Sequence, residues 1–180
     1  MICFVLLVLL QLWTPAAMIW NRENVLSSGK VFKFRSAPVD PNDPFRGKYI
    51  TLNFRDNSFF QTRGVKWLAG EDVFVQLDRD SAGYARIHSL HKKSPGKGTD
   101  FLKATISYTG TEGEGKVNID WPFVRFYMEE GKAADAEKAY NRSLADSSNI
   151  TYATVRVKDG DAVLENVFIN DKPIVYYLKK

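Results

Sequence analysis

The chain has 180 residues, of which 44% are hydrophobic and 26% charged, a composition typical of a folded protein rather than a disordered one. The net charge is +4, but lysines and arginines are interspersed with aspartates and glutamates. The chain therefore lacks the dense basic stripe that grips phosphates, and no nucleic-acid partner is predicted. The single cysteine, Cys3, lies in an N-terminal apolar block, which excludes a disulfide and a thiol nucleophile in the remainder of the chain.

Residues 1–20 form a block without any charged side chain. About twenty helical residues cross a hydrocarbon core of roughly 30 Å, and Trp13 and Trp20 are typical of a membrane interface. The block is therefore predicted to be a transmembrane helix that anchors the protein in lipid. A cleaved signal peptide is the alternative, with residues 2–12 as its apolar region and residues 14–16 as its cleavage site, although no Lys or Arg precedes the run.

The polar residues 21–29 are predicted to continue as a short juxtamembrane helix that ends with its glycine in a left-handed conformation. From residue 30 onward the hydrophobic period changes from helical to two, which is the period of a strand with one buried face. Residues 30–180 are therefore predicted to form a single β-rich domain.

Strand-like alternation recurs along this domain. Its clearest instance is the set Ile50, Leu52 and Phe54, which alternates with polar or amphipathic neighbours and is predicted to face the interior from one strand. Further strands are predicted over residues 32–35, 73–77, 84–90, 101–108 and 117–121, with a C-terminal hairpin around Asp159-Gly160. One helix is predicted between residues 128 and 145, where alanines and Tyr140 recur at helical spacing. The predicted fold is mainly β with one α-helix (α+β), an N-terminal transmembrane helix followed by a mostly antiparallel sheet domain.

The stretch VDPNDPFRGK carries oxygen ligands close together in Asp40, Asn42 and Asp43. Phe45 stands where an EF-hand loop needs its glycine, and no Glu occupies the twelfth position, so a calcium site is not predicted. Asp40 and Asp43 each precede a proline, Pro41 in the first case, and are expected to be held extended while accepting backbone N–H bonds in turns.

Catalytic signals are weak throughout the chain. His88 and His91 are three residues apart in a segment predicted as a strand running into a loop, where that spacing points them to opposite sides and predicts no zinc pair. Nucleophile elbows, Walker loops and dinucleotide fingerprints do not occur, so no catalytic residue and no cofactor is predicted. Glu129, Glu130 and Glu137 form an acidic set that suits either acid–base chemistry or, more simply, stabilisation of a helix start and a solvated helix face.

Two arginines stand beside predicted strands in aromatic surroundings, Arg46 in RGKY and Arg125 in RFY. A guanidinium in such a setting can stack on a ring or bind a carboxylate in bidentate fashion. Either arginine is expected to pair with Glu130 or Asp43. Such a pair is a structural tie in the simpler interpretation and an anionic-ligand site in the functional one.

The apolar N-terminal block, the stretch DPFRGKYITLNF and the stretch RFYMEEGKAADAE together resemble the bacterial GDYXXLXY family of uncharacterised membrane-anchored proteins. In the motif that names the family, Gly47, Tyr49 and Leu52 agree, whereas Lys48 replaces the Asp and Phe54 replaces the final Tyr. Gly47 is expected to allow a bend where the strand begins. The resemblance implies no known activity. It implies a domain outside the cytoplasmic membrane, facing the periplasm or cell exterior, and a functional link with a polytopic membrane protein.

The charge distribution and the family resemblance predict opposite sides of the membrane for the domain. Arg22, Lys30, Lys33 and Arg35 all follow the apolar block, and the positive-inside rule would therefore keep the domain in the cytoplasm. Relatives in the family usually carry lysines before the span, so the resemblance implies a start codon assigned too far downstream. We expect the outward-facing arrangement.

Two functions of different classes follow. The first is a non-enzymatic, membrane-tethered module that docks on an integral membrane protein through an aromatic and arginine surface, formed by Arg46, Tyr49, Arg125 and Tyr127. The alternative is an envelope binding protein or hydrolase for an anionic or glycan ligand. Its pocket would be built from Arg46, Arg125, Glu130 and Glu137.

Overall fold

A computed structural model of the protein describes residues 2–38, 49–60, 65–96, 98–109 and 115–178. These residues form two α-helices, α1 (Ile2–Ser28) and α2 (Glu130–Ala145), and a short 3-10 helix (Ile174–Tyr177). The strands are β1 (Lys30–Arg35), β2 (Tyr49–Thr51), β3 (Ser58–Phe60), β4 (Asp72–Arg79), β5 (Ala85–His91), β6 (Phe101–Thr109), β7 (Lys116–Asp120), β8 (Arg125–Tyr127), β9 (Thr151–Lys158), β10 (Asp161–Ile169) and β11 (Lys172–Pro173).

The described strands pair into three antiparallel sheets. One sheet has the order β1-β9-β10-β11, a second has the order β3-β7-β6-β4-β5, and a two-stranded ribbon consists of β2 and β8. Two isolated parallel bridges, Lys33 with Tyr84 and Leu102 with Gly160, join the two larger sheets. The prediction of a mostly antiparallel, β-rich fold is confirmed, with α2 as the helix that was expected inside the domain.

The predicted hairpins are present with the expected turn chemistry. β4 pairs with β5, and β9 pairs with β10 across a two-residue loop. In that loop Asp159 has φ 50° and Gly160 has φ 95°, and positive φ at both central residues is what a type I′ turn requires. Asp and Gly reach these angles at low cost, which is why the dipeptide was a reliable signal.

α1 continues without interruption through the boundary expected near residue 20, and Pro15 lies inside it. The prediction that Gly29 ends the helix in a left-handed conformation is wrong, because its φ is not positive. Its N–H donates to the Val25 carbonyl at 2.8 Å. A Cβ at this position would lie 2.5 Å from that oxygen and 3.2 Å from the carbonyl oxygen of Val157. The glycine is needed for space, where the helix turns into β1, rather than for its backbone angles.

The strand predicted over Ile50, Leu52 and Phe54 is shorter than expected, because β2 ends at Thr51. All three apolar side chains are nevertheless buried. Beyond Thr51 the backbone leaves the regular ladder, and Phe54 forms an isolated bridge with Ser36 at the end of β1. The alternation of burial was therefore predicted correctly, while the regular strand around it was not.

An aromatic cluster occupies the centre of the core. The ring of Phe34 lies 5.6 Å from Phe54, 5.4 Å from Trp121 and 4.9 Å from Phe123, each in an edge-to-face arrangement. Edge-to-face pairs at this spacing contribute about 0.5–1.5 kcal/mol beyond simple burial. Tyr140 of α2 is also fully buried against the same core.

Among the side chains that the structure describes, those that tie α1 to the domain lie near its C-terminal end. The described side chains from Phe4 to Trp20 are exposed, whereas Val25 is buried. One turn of the helix is tied to the β9–β10 hairpin, because Asn21 donates to Asp161 at 2.8 Å and Lys158 donates to Asn24 at 2.8 Å. Among the helices of the described residues, none has both the length and the hydropathy that crossing a membrane requires.

Candidate functional site

The β2–β8 ribbon presents one polar aromatic face and one apolar face. In its register Tyr49 lies opposite Tyr127, Ile50 opposite Phe126, and Thr51 opposite Arg125. Because successive side chains of a strand point to opposite faces, burial of Ile50 in the core places Tyr49, Tyr127 and Arg125 on the outer face. Two segments that are far apart in the sequence are thus brought together by strand pairing.

The outer face carries a compact group of side chains, Tyr49, Arg125 and Tyr127, which we call the Tyr–Arg patch. The two tyrosine rings lie 5.4 Å apart, and the guanidinium carbon of Arg125 lies 5.2 Å from the centre of the Tyr49 ring. Tyr127 is 65% exposed. A guanidinium over an exposed ring contributes about 0.5–1 kcal/mol. The patch is therefore ordered by its own contacts while one broad ring stays open to a partner.

The acidic residues of α2 are not drawn into this patch. Glu130 is exposed in the first turn and Glu137 is half-buried seven residues later, which is about 10.5 Å farther along the helix axis. In the part of the chain that the structure describes, Glu130 and Glu137 form no ion pair, and Arg125 contacts Tyr49 instead of Glu130. Glu129 pairs with Lys132, whose hydrogen bond lowers the pKa of the Glu129 carboxyl.

Residues 39–48 lie outside the described residues, so the predictions made for that segment stay predictions. They concern the candidate site and motif residues Asp40, Pro41, Asp43, Arg46 and Gly47. Of the remaining motif positions, Leu52 is buried in the core.

A groove adjoins the Tyr–Arg patch. One cavity of about 550 Å³ lies between β8 and β10, and a second of about 660 Å³ lies between α1, β6 and the start of β10. The two cavities share four lining residues and form one continuous depression, which we call the β10 groove. The shared residues are Arg22, Pro122, Ala162 and Val163. Arg125 and Tyr127 belong both to the patch and to the wall of this groove.

Charge in the groove is unevenly compensated. Lys103 is paired with Asp72 at 2.7 Å, and Glu165 is paired with Arg156 at 2.9 Å. Arg22 and Arg125 have no ion-pair partner among the described residues, although both line the cavity between β8 and β10. The cavity between β8 and β10 is consequently positive, whereas the other cavity, which Arg22 also lines, carries Asp120 and Asp161 without an ion-pair partner among the described residues.

Sequence reasoning missed the β10 groove. Three consecutive apolar residues, Ala162, Val163 and Leu164, are each only partly buried. An uninterrupted apolar run directly after a hairpin turn indicates a strand with both faces contacting something, and it was the available signal. Arg22 could not have been placed there, because its position depends on how α1 packs against the hairpin.

The histidines do not form a metal site. His88 is exposed and lies 3.9 Å from Asp78. His91 is half-buried rather than solvated, with its ring nitrogen 2.8 Å from the Ser89 hydroxyl and 3.2 Å from Gln76. Among the described residues there is no group of three side chains able to hold a metal ion.

Comparison with known protein families adds to this geometry. The model of the family described as GDYXXLXY protein matches residues 11–167. The chain belongs to the GDYXXLXY family. No curated protein and no solved structure matches it. In this GDYXXLXY protein the motif residues occupy two different environments. Tyr49 lies on the outer face of the ribbon, whereas Leu52 and Phe54 are buried in the core. A phenylalanine suits the last position because its ring packs against Phe34 and Phe123.

Proposed function

We propose that this GDYXXLXY protein is a non-enzymatic module tethered by its N-terminal helix to the cytoplasmic membrane, with its domain facing the periplasm or cell exterior. In this role it docks on a polytopic integral membrane protein. The docking surface is the Tyr–Arg patch together with the adjoining β10 groove, and the predicted surface also includes Arg46. No reaction is assigned to it.

The continuity of α1 with the domain is the observation that carries this proposal. One helix runs from the uncharged block into the fold, where Val25 is buried and Asn21 and Asn24 are tied to the β9–β10 hairpin. Arg22 of the same helix lines the β10 groove. A helix held in lipid would therefore hold the groove at a fixed height above the membrane surface.

Exposure of the first part of α1 supports the tether. The described apolar side chains from Phe4 to Trp20 are exposed on all sides. A helix that is apolar all round is normally buried, either in a core or in a membrane, and exposed apolar surface of this kind marks contact with lipid or protein. The described part of the domain leaves these side chains largely exposed, so lipid or another protein is the expected cover.

The composition of the Tyr–Arg patch supports docking. Tyrosine and arginine are enriched at protein interfaces and among the residues that dominate binding energy. Arg125 and the tyrosines are held by mutual contacts at 5.2 and 5.4 Å, so little side-chain entropy remains to be lost on binding.

The test is purification of the tagged full-length protein from membranes in mild detergent, with quantification of the integral membrane proteins that co-purify. We expect a stable complex. Truncation of a central interface residue typically costs about 2 kcal/mol, or roughly thirtyfold in affinity, so Tyr127→Ala and Arg125→Ala should each deplete the partner strongly.

The matched control is Tyr108→Ala, which removes a tyrosine that is 56% exposed on β6, away from the patch. It should co-purify with as much partner as the unmodified protein. Recovery of the unmodified protein only as a free monomer under mild extraction would contradict the proposed function.

A further inference from the structure

β10 has an edge whose backbone groups are left open. In a two-residue hairpin the residues flanking the loop, here Lys158 and Asp161, exchange both backbone hydrogen bonds. Because hydrogen-bonded and non-bonded pairs alternate along an antiparallel ladder, Val163 also faces β9, whereas Ala162 and Leu164 direct their N–H and C=O groups away from it. Among the described residues, no strand pairs with β10 on that outer side at these two positions.

The course of β6 explains why this edge is open. β6 begins beside β10 in the parallel sense, where Leu102 bridges Gly160 and the Lys103 N–H donates to the Gly160 carbonyl at 2.8 Å. It then diverges to pair with β4 and β7. The β10 groove opens where β6 leaves, with β8 as its far wall. The position that a neighbouring strand would take along Ala162 and Leu164 is therefore a depression in the surface.

We infer that an extended segment of the membrane-protein partner binds by adding as a strand to the outer edge of β10, with an acidic side chain directed at Arg22 and Arg125. This inference rests on the proposed function and specifies how the partner is held. Strand addition supplies main-chain hydrogen bonds for affinity and side-chain pockets for specificity. The partly exposed Ala162, Val163 and Leu164 supply apolar contact along the same edge.

Charge complementarity selects an acidic segment. Glu165, the one carboxylate that lines the cavity between β8 and β10 among the described residues, is paired with Arg156, and the carboxylates of Asp120 and Asp161 line the adjoining cavity instead. Arg22 and Arg125 line the cavity between β8 and β10 without an ion-pair partner among the described residues. A basic segment would meet uncompensated guanidinium groups, and such like-charge juxtaposition excludes wrong partners. A second copy of this chain paired edge to edge would bring the same arginines together, so it is the less favourable occupant.

Hydrogen exchange at single-residue resolution tests the strand. The probe is the complex obtained by mild extraction, compared with the same full-length protein after a stringent detergent wash has removed the partner. The Ala162 and Leu164 amides should exchange about tenfold more slowly in the complex. The Val163 amide, which already bonds to β9, should not change.

Two variants test the parts separately. Leu164→Pro removes one outward N–H and should deplete the partner, whereas Phe60→Pro should not, because Phe60 is exposed on the edge of β3 that no described strand pairs with. A double reversal, Arg22→Glu with Arg125→Glu, should also deplete the partner, whereas Arg142→Glu on the exposed surface of α2 should not. Unfolding curves establish whether Leu164→Pro still folds. If it does not fold, the hydrogen exchange comparison on the unmodified protein tests strand addition instead.

The outcomes separate the two proposals. An intact complex in which the Ala162 and Leu164 amides exchange as before would overturn strand addition and leave the docking function standing. A complex that contains only a second copy of this chain would overturn the acidic partner segment. Absence of any complex under mild extraction would overturn the proposed function and this inference together.

Discussion

At the scale of single residues, the phenol of Tyr140 is the most deeply buried ionisable group of α2. Burial raises the pKa of Tyr140 from 10.0 to about 12. The Ser36 hydroxyl and the Asn53 backbone lie close enough to lower the pKa of Tyr140 and so to offset part of that rise. The Tyr140 and Ser36 hydroxyl groups are nevertheless both buried without a hydrogen-bond partner. The folded state thus favours the protonated phenol over the phenolate.

This shift predicts a loss of stability in alkaline solution. Between pH 10 and 12 the unfolded chain releases the Tyr140 proton while the folded chain retains it. The unfolded state then binds fewer protons, so the free energy of unfolding falls as pH rises, by about 1.4 kcal/mol per pH unit from this group. Below pH 10 the contribution is fully present. Urea unfolding between pH 9 and 11.5 should show a shallower decline for Tyr140→Phe than for the unmodified protein.

Tyr108→Phe is the control for this prediction, because Tyr108 is an exposed residue of β6. It should reproduce the pH dependence of the unmodified protein. Equal slopes for the unmodified protein and Tyr140→Phe would show that the phenol does not carry the effect.

At the scale of elements, the junction of α1 with β1 depends on Gly29. A methyl group there would meet the Val25 carbonyl oxygen at 2.5 Å and the Val157 carbonyl oxygen at 3.2 Å, and both belong to backbone that cannot rotate away. We expect Gly29→Ala to lower the free energy of unfolding by roughly 1–3 kcal/mol, the usual cost of overpacking. Denaturant unfolding measures it.

Gly131→Ala supplies a control of identical chemistry. Gly131 lies in the first turn of α2, its φ is not positive, and a methyl group would meet nothing within 4 Å. Alanine is the better helix former, so this variant should be neutral or stabilising by up to about 1 kcal/mol. An equal response of the two variants would mean that the close approach at Gly29 is relieved by movement of the helix.

The elements that sequence predicted well are those fixed by local chemistry. The Asp159-Gly160 turn and α2 depend on residues that are neighbours in the chain. The end of β2 at Thr51 was not predictable in this way, because the partner that stops pairing there is β8, far along the chain. The prediction for Gly29 failed in part for the same reason, since two of the three atoms that crowd it, the Val157 carbonyl oxygen and the Arg156 Cβ, belong to β9.

The candidate site likewise has features that local sequence predicts and features that only long-range pairing determines. An aromatic setting identified Arg125 as a stacking residue, and the structure places it over a tyrosine ring. A carboxylate partner for it, Glu130 or Asp43, was also expected from the sequence, whereas the register of β2 on β8 decides that Arg125 lies beside Tyr49. The β10 groove exists only because β6 diverges from β10, a long-range event that no local pattern encodes.

At the scale of the whole molecule, the link between α1 and the domain would, under the proposed function, make the membrane the reference frame for docking. Residues 2–20 of the uncharged block and the buried Val25 belong to one helix. If the block lies in lipid, the groove and the patch face a plane close to the bilayer, where loops of a polytopic protein emerge. If it were removed as a signal peptide, the domain would lose that orientation.

Arginine substitutions within the block distinguish these cases. An arginine at the centre of a span costs about 2.5–3.5 kcal/mol for insertion, so the double variant Leu7→Arg with Leu10→Arg should leave the membrane pellet after an alkaline wash, while the unmodified protein stays in it. Glu23→Arg, on the exposed part of α1 after the block, should stay in the pellet.

The intact mass of the unmodified protein should include the block, and protease added to spheroplasts should digest the domain. A mass lacking residues 1–16, or release of the unmodified protein by the wash, would exclude the tether.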